Sequence, residues 1–166
     1  MSKLSRDELI QEFIAAVRAS QTATETLDHS VAEFLGIDDS AYRCLDILDQ
    51  EGPMTAGQLA DRARLSPGAM TALLDRLEDK GLARRVRDTR DRRRVLAEVT
   101  PELRKRAELL YGPPEDEGAQ GLAGYSDDEL EFLIRFLRGS VEYQAERMRR
   151  LDALKEGGSG GRSGTR

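Results

Sequence analysis

The sequence predicts a mainly α-helical fold carrying one short two-stranded β-ribbon, and three observations predict it. Composition is the first: of 166 residues 34% are charged, 39% hydrophobic and 5% aromatic, with no Trp, which suits amphipathic helices rather than an aromatic-rich β-sandwich. The second is punctuation, because all five prolines fall at the edges of periodic segments. The third is a pair of short runs, Ala83 to Arg87 and Val95 to Thr100, flanking a segment too polar to bury, which is the form of an antiparallel hairpin. At this length the chain reads as one domain with appendages.

Each helix carries its own start and stop. Ser5 and Glu8 form a capping box ahead of Leu9, Ile10, Phe13, Ile14 and Val17 at helical spacing, and this first helix runs on through Leu27, Val31, Phe34 and Leu35 to a stop at Gly36. Asp38 and Asp39 can cap a second helix, with Tyr42, Leu45 and Leu48 on one side, that ends at Gly52-Pro53. Thr55 and Gln58 open a short third helix that turns Leu59, Ala60 and Ala63 inward. Ser66-Pro67 starts a fourth, where a hydroxyl cap is followed by Pro at the first helical position and its missing N–H costs nothing. Its stripe is Met70, Leu73, Leu74 and Leu77, and it stops at Gly81 with Leu82 placed for a Schellman ending.

In the hairpin Val86, Val95, Ala97 and Val99 are the expected inward residues. Thr100-Pro101 repeats the start signal for a fifth helix through Leu103, Ala107, Leu109 and Leu110, which Gly112-Pro113-Pro114 must break. Residues 115–125, rich in glycine and acid, are expected to be partly helical and mobile. Ser126 and Glu129 cap a long last helix bearing Leu130, Leu133, Ile134, Leu137, Val141, Met148 and Leu151. The tail from Gly157 to Arg166 is expected to be disordered, because its glycines and serines cannot bury enough to order it. The folded domain is thus expected over 1–156.

Charge is segregated. The net charge is −5, yet from Ser66 to Arg94 nine basic residues face five acidic ones, leaving this window at +4 and the rest of the chain at −9. Seven arginines lie between positions 84 and 94, and arginine combines phosphate pairing with insertion into a narrow groove. A solvated charged hairpin is the alternative meaning of such a cluster. Most enzyme chemistry is disfavoured: one Cys (Cys44) and one His (His29) exclude an internal disulfide, a multi-Cys zinc site and most His-based triads, and no cofactor or metal motif is present. Cys44, at helical spacing from Ile47 and Leu48, reads as a buried structural thiol, and His29 as an ordinary helix residue. With no apolar run long enough to span a bilayer and no secretory signal pattern, a cytoplasmic location is expected and no membrane partner.

Residues 37–100 therefore spell three helices and a ribbon, a winged helix-turn-helix. Once the stripe of the fourth helix is buried, its exposed side begins with Ser66, Pro67, Gly68, Ala69, Thr71 and Ala72 and ends with Arg76. Small residues at a helix N-terminus permit close approach to base edges and phosphates. Asp75 and Asp79 oppose phosphate, so only the first two turns are expected to enter a groove. The hairpin tip, with Arg90, Asp91, Arg92, Arg93 and Arg94, lies on the same side, so helix and ribbon together suit a major-groove reader and a minor-groove probe.

The segment LSPGAMTALLDRLEDKGLARRVRDTRDRRRVLAEVT, Leu65 to Thr100, resembles the recognition helix and wing of the MarR family of bacterial transcriptional regulators, through the D-R-L-E-x-x-G-L run at Asp75–Leu82 and the D-R-R signature at Asp91, Arg92 and Arg93. The resemblance covers roughly 5–155. It implies that Arg93 enters the minor groove, that Asp91 orients it, and that residues 5–36 and 101–156 supply helices intertwining into a homodimer. The Gly112-Pro113-Pro114 break departs from the continuous fifth helix of that family.

Phe13, Ile14, Val17, Leu130, Leu133, Phe136 and Leu137 form apolar faces without an evident partner in the central module, which also points to burial against a second copy. The expected partners are double-stranded DNA and the chain itself, in a repressor acting on a pseudo-palindromic operator. The resemblance further implies an effector pocket for a small aromatic compound, for which Phe13, Tyr42 and Tyr111 are candidate lining residues. A winged-helix module that binds a protein partner instead of an operator is the competing reading.

Overall fold

The computed structural model describes residues 4–112 and 119–159. The elements in order are α1 (Arg6–Leu35), α2 (Asp39–Glu51), β1 (Met54–Thr55), α3 (Ala56–Ala63), α4 (Pro67–Asp79), β2 (Ala83–Arg87), β3 (Val95–Val99), α5 (Pro101–Tyr111), α6 (Ala119–Leu122) and α7 (Asp127–Ser159). The chain divides into two compact units, Met1–Gly112 and Pro113–Arg166.

The expected caps all form. Ser5 and Glu8 make a reciprocal box at the start of α1, and Thr55 and Gln58 make another at α3. Asp38, Ser66 and Thr100 each accept a backbone N–H three residues on, from Ala41 at 2.9 Å, Ala69 at 3.3 Å and Leu103 at 3.2 Å. Such bonds satisfy donors that a helix start leaves open. Helix α4 closes with Gly81 at φ 68°, the Leu82 N–H reaching the Leu77 carbonyl at 2.9 Å and the Gly81 N–H that of Glu78 at 2.8 Å, a Schellman ending. The α3–α4 turn closes in the same pattern on Arg64, the one described residue other than glycine with positive φ.

The core of the first unit gathers Leu35, Cys44, Leu45, Leu48, Leu59, Met70, Leu74, Leu77 and Leu82 with Ala97 and Val99 of the sheet. The stripe of α4 is buried as the spacing requires, with Met70, Leu73, Leu74 and Leu77 all 3% exposed or less. Cys44 is fully buried, as expected of a structural thiol.

The ribbon pairs antiparallel from Ala83↔Val99 to Arg87↔Val95, and the sheet gains a third member that the sequence did not announce. The two residues of β1 pair with β3, Met54 with Ala97 and Thr55 with Leu96, giving the order β1-β3-β2. Val95 corrects the expected inward set: it shares a face with Ala97 and Val99 but is 49% exposed, because it lies beyond the helices at the wing end of the strand. Thr100 is buried with its polar atoms satisfied, its hydroxyl donating to the Gly81 carbonyl at 2.6 Å and so tying the end of β3 to the end of α4.

Helix α5 stops at Tyr111 with Gly112 as its cap, where the sequence placed a break; Pro113 and Pro114 lie outside the described residues. Of the segment 115–125, expected to be partly helical and mobile, 115–118 also lie outside them, and 119–122 form the single turn of α6. In the second unit the Ser126 and Glu129 box opens α7, the Ser126 N–H donating to the Glu129 carboxylate at 2.8 Å. Helix α7 continues through Ser159, and residues 160–166 of the tail expected to be disordered lie outside the described residues.

Candidate nucleic-acid interface

The side of α4 opposite its stripe is open. Ser66, Pro67, Gly68, Ala69, Thr71, Ala72, Asp75 and Arg76 are all exposed. A Cβ built on Gly68 would meet nothing within 4 Å, so no neighbour in the fold requires glycine there. Thr71 donates its hydroxyl to the Pro67 carbonyl at 3.0 Å. Arg76 at the far end of this face is held by Asp38, 3.0 Å away, whose other oxygen caps α2.

The seven arginines of the ribbon fall into two groups. Arg84 meets Glu98 across the ribbon at 2.6 Å, and Arg94 lies 3.8 Å from Asp88 and 3.4 Å from Gln58. Arg85 reaches back to α4, pairing with Asp75 at 2.8 Å and with Glu78, while its own backbone N–H donates to Glu78 at 2.7 Å. Partial burial disfavours the Arg85 charge, and the hydrogen bonds it donates to the Asp75 and Glu78 carboxylates more than offset it, so its pKa is raised. Arg87, Arg90, Arg92 and Arg93 make no ion pair among the described residues.

The acids of the tip shape its backbone. Asp88 accepts the Arg90 N–H at 2.8 Å, and Asp91 accepts the Arg93 N–H at 3.1 Å while its carbonyl takes the Arg94 N–H at 2.9 Å. That backbone bond from Arg90 is the main reason the Asp88 carboxyl sits below its usual range, with Arg94 and Arg90 adding to it. Asp91 thus organises the main chain at Arg93 rather than gripping its guanidinium.

The expected effector trio does not assemble within the chain. Burial, with the neighbouring Tyr111 hydroxyl adding to it, pushes the Tyr42 phenol well above its ordinary value. Tyr42 borders a cleft of about 520 Å³ lined also by Glu25, Asp28, His29, Asp39, Arg43 and Asp46. Phe13 is not part of it, and 15 residues of helix separate Phe13 from Asp28, roughly 22 Å along α1. His29 at that cleft donates to Asp39 at 2.9 Å and lies 3.9 Å from Glu33, both of which raise its pKa, the Asp39 bond most.

Comparison with known proteins agrees with this geometry. The family model described as "MarR family" matches residues 37–95. The HTH-type transcriptional regulator YcgE of Bacillus subtilis is 33% identical over 147 residues, 89% of this chain and 96% of that one. The chain belongs to the MarR family. The HTH-type transcriptional repressor YetL of the same organism is 23% identical over 130 residues, 77% of each chain. Among solved structures, a MarR family protein of Bacillus stearothermophilus has the same fold, with a TM-score of 0.58, 22% identity and coverage of 86% of this chain and 99% of that one. As a MarR-family protein the chain is a DNA-binding transcriptional regulator and not an enzyme. Among the described residues no helix is long and apolar enough to cross a membrane, and no group of acids, His and Cys is placed to hold a metal.

The residue that sequence reasoning missed at this interface is Arg85. Its signal was present: two acids on the last turns of a helix, then a tight turn and a strand that must run back beside them.

Proposed function

We propose that the chain is a homodimeric repressor that reads a pseudo-palindromic double-stranded operator. In this reading Ser66, Pro67, Gly68, Ala69, Thr71 and Ala72 enter the major groove, Arg76 lies at its edge, and Arg90, Arg92 and Arg93 probe the minor groove, with Asp91 and Arg94 shaping the tip. One observation carries it: an exposed helix face of small residues stands beside a ribbon in which Arg92 and Arg93 at the tip make no ion pair among the described residues. Arginines with no internal partner retain their full charge for phosphate or a narrow groove. The competing protein-binding module would not need cations at a thin tip beside small residues at a helix start.

Dimerisation is supported by apolar surface. Leu9, Ile10, Phe13 and Ile14 on α1 are 39% to 54% exposed, and Phe132, Leu137 and Val141 on α7 are 60% to 67% exposed. One recognition helix reads too few base pairs to find a site in a genome, and two copies about one helical turn apart multiply the discrimination. The repressor sense follows the name of the relative YetL. For an aromatic acid the α1–α2 cleft is a poor host, since Glu25, Asp28, Asp39 and Asp46 line it against Arg43 and His29.

Selection of duplexes from a random library, with the solution mass measured alongside, tests the proposal. Enriched sequences with two-fold symmetry and affinity that falls steeply with salt are expected. A stable monomer at micromolar concentration, or no enrichment at low salt, refutes it.

A further inference from the structure

Arg85 differs from the other arginines of the ribbon in where it points. It stands on β2 opposite Ala97, and its side chain crosses to α4 instead of toward the wing tip. Its guanidinium meets the Asp75 carboxylate at 2.8 Å, the Glu78 carboxylate, and the Thr71 carbonyl at 3.4 Å. Thr71, Asp75 and Glu78 follow one another at helical spacing, so one side chain grips about two turns of the helix. Glu78 is held through both oxygens, one by the Arg85 backbone N–H at 2.7 Å and the other by the guanidinium. With 29% of its side chain exposed, Arg85 is better covered than Arg84 at 56% or Arg94 at 47%.

Resting on the DNA-binding reading above, we propose that Arg85 is a positioning residue: it fixes the angle and separation between recognition helix and wing, and so sets operator discrimination without touching DNA. A fork of donors locked onto two carboxylates and a carbonyl permits one geometry, whereas a lysine in its place has a single point of attachment.

The test uses the full-length protein and a duplex that the wild type enriches from a random library, with a scrambled duplex of equal length as control. In Arg85→Met the helical signal is retained. Affinity for the enriched duplex falls about tenfold or more, the loss of one good base contact, while affinity for the scrambled duplex stays within about threefold. The salt slope on the enriched duplex is unchanged, because no phosphate contact is lost. Methylation protection at guanine N7, in the major groove, is kept, whereas hydroxyl-radical protection, which reports sugars along the minor groove, is lost or displaced. Arg85→Lys recovers part of the discrimination. If Arg85→Met does not fold, Glu78→Gln replaces it: the amide oxygen still accepts the Arg85 N–H but the charged partner is gone, and the same loss of discrimination is expected. Wild-type affinity and footprint in a folded variant overturn the proposal, as does a salt slope reduced by about one per protomer, which marks a phosphate contact. Failure of the wild type to enrich any duplex instead removes the DNA-binding reading on which it stands.

Discussion

Replacing Gly68 with Ala should move stability and DNA binding in opposite directions. Gly68 is the second residue of α4, has ordinary helical backbone, and a Cβ there meets nothing within 4 Å. The methyl group therefore enters open space, and the chain gains from losing unfolded-state freedom. In a helix interior this is worth about 0.5–1 kcal/mol, and in a first turn about 0.5 kcal/mol, which raises Tm by roughly 2–4 °C for a unit of this size. Thermal melts at one fixed protomer concentration read the gain, since an associating protein has a concentration-dependent Tm. Anisotropy on an enriched duplex reads the other effect: if the backbone at Gly68 approaches the DNA, a methyl displaces the helix and affinity falls about tenfold, the cost of spoiling one base-pair contact. A variant that is more stable and binds equally well would show that this end of α4 stays clear of the groove.

Other expectations follow from the same geometry. Arg93→Ala leaves folding unchanged, because Arg93 makes no ion pair among the described residues, but weakens operator binding by about 1–3 kcal/mol and lowers the salt slope by about one per protomer, most clearly on A·T-rich sites. Leu77→Ala, at a fully buried position, costs about 2–5 kcal/mol in urea unfolding, and a cost below 1 kcal/mol would contradict the packing described. His29 titrates by NMR above 6.5, and Asp39→Asn brings it back toward that value. Because the folded pKa is the higher, the stability from this pair is fully present below 6.5 and is lost as pH rises through the raised folded value. The Cys44 thiol, pushed up to about 11 by burial, resists iodoacetamide at pH 8 in the native protein and reacts on unfolding; rapid native labelling would place it at the surface.

Helix starts and stops were legible because their chemistry is local. Ser5 with Glu8, Thr55 with Gln58, and Gly81 with Leu82 each act within three to five residues, so the pattern on the chain is the pattern in space. The face of α4 and the cationic ribbon followed from periodicity in the same way. What escaped depends on distance through the fold. Met54 meets Ala97 only after two helices and a strand have folded back, and two residues of strand carry no period of their own. The Arg85 contacts join groups seven to fourteen residues apart across a turn whose angle the sequence does not state. Periodicity records direction around a helix axis and says nothing of position along it, so the distance of Phe13 from the Tyr42 cleft is not legible in the sequence.

Helix α1 is 30 residues of unbroken α-helix, about 45 Å, yet only Val31, Ala32 and Leu35 near its end are buried in the core. It is therefore a lever with its fulcrum inside the winged module and its apolar stretch far out along the arm. No proline or interior glycine gives it a joint, so a tilt of a few degrees at the fulcrum sweeps the outer end through several ångströms. Whatever grips that outer end therefore acts on the winged module through the last turns of α1 alone, where Val31, Ala32 and Leu35 are seated.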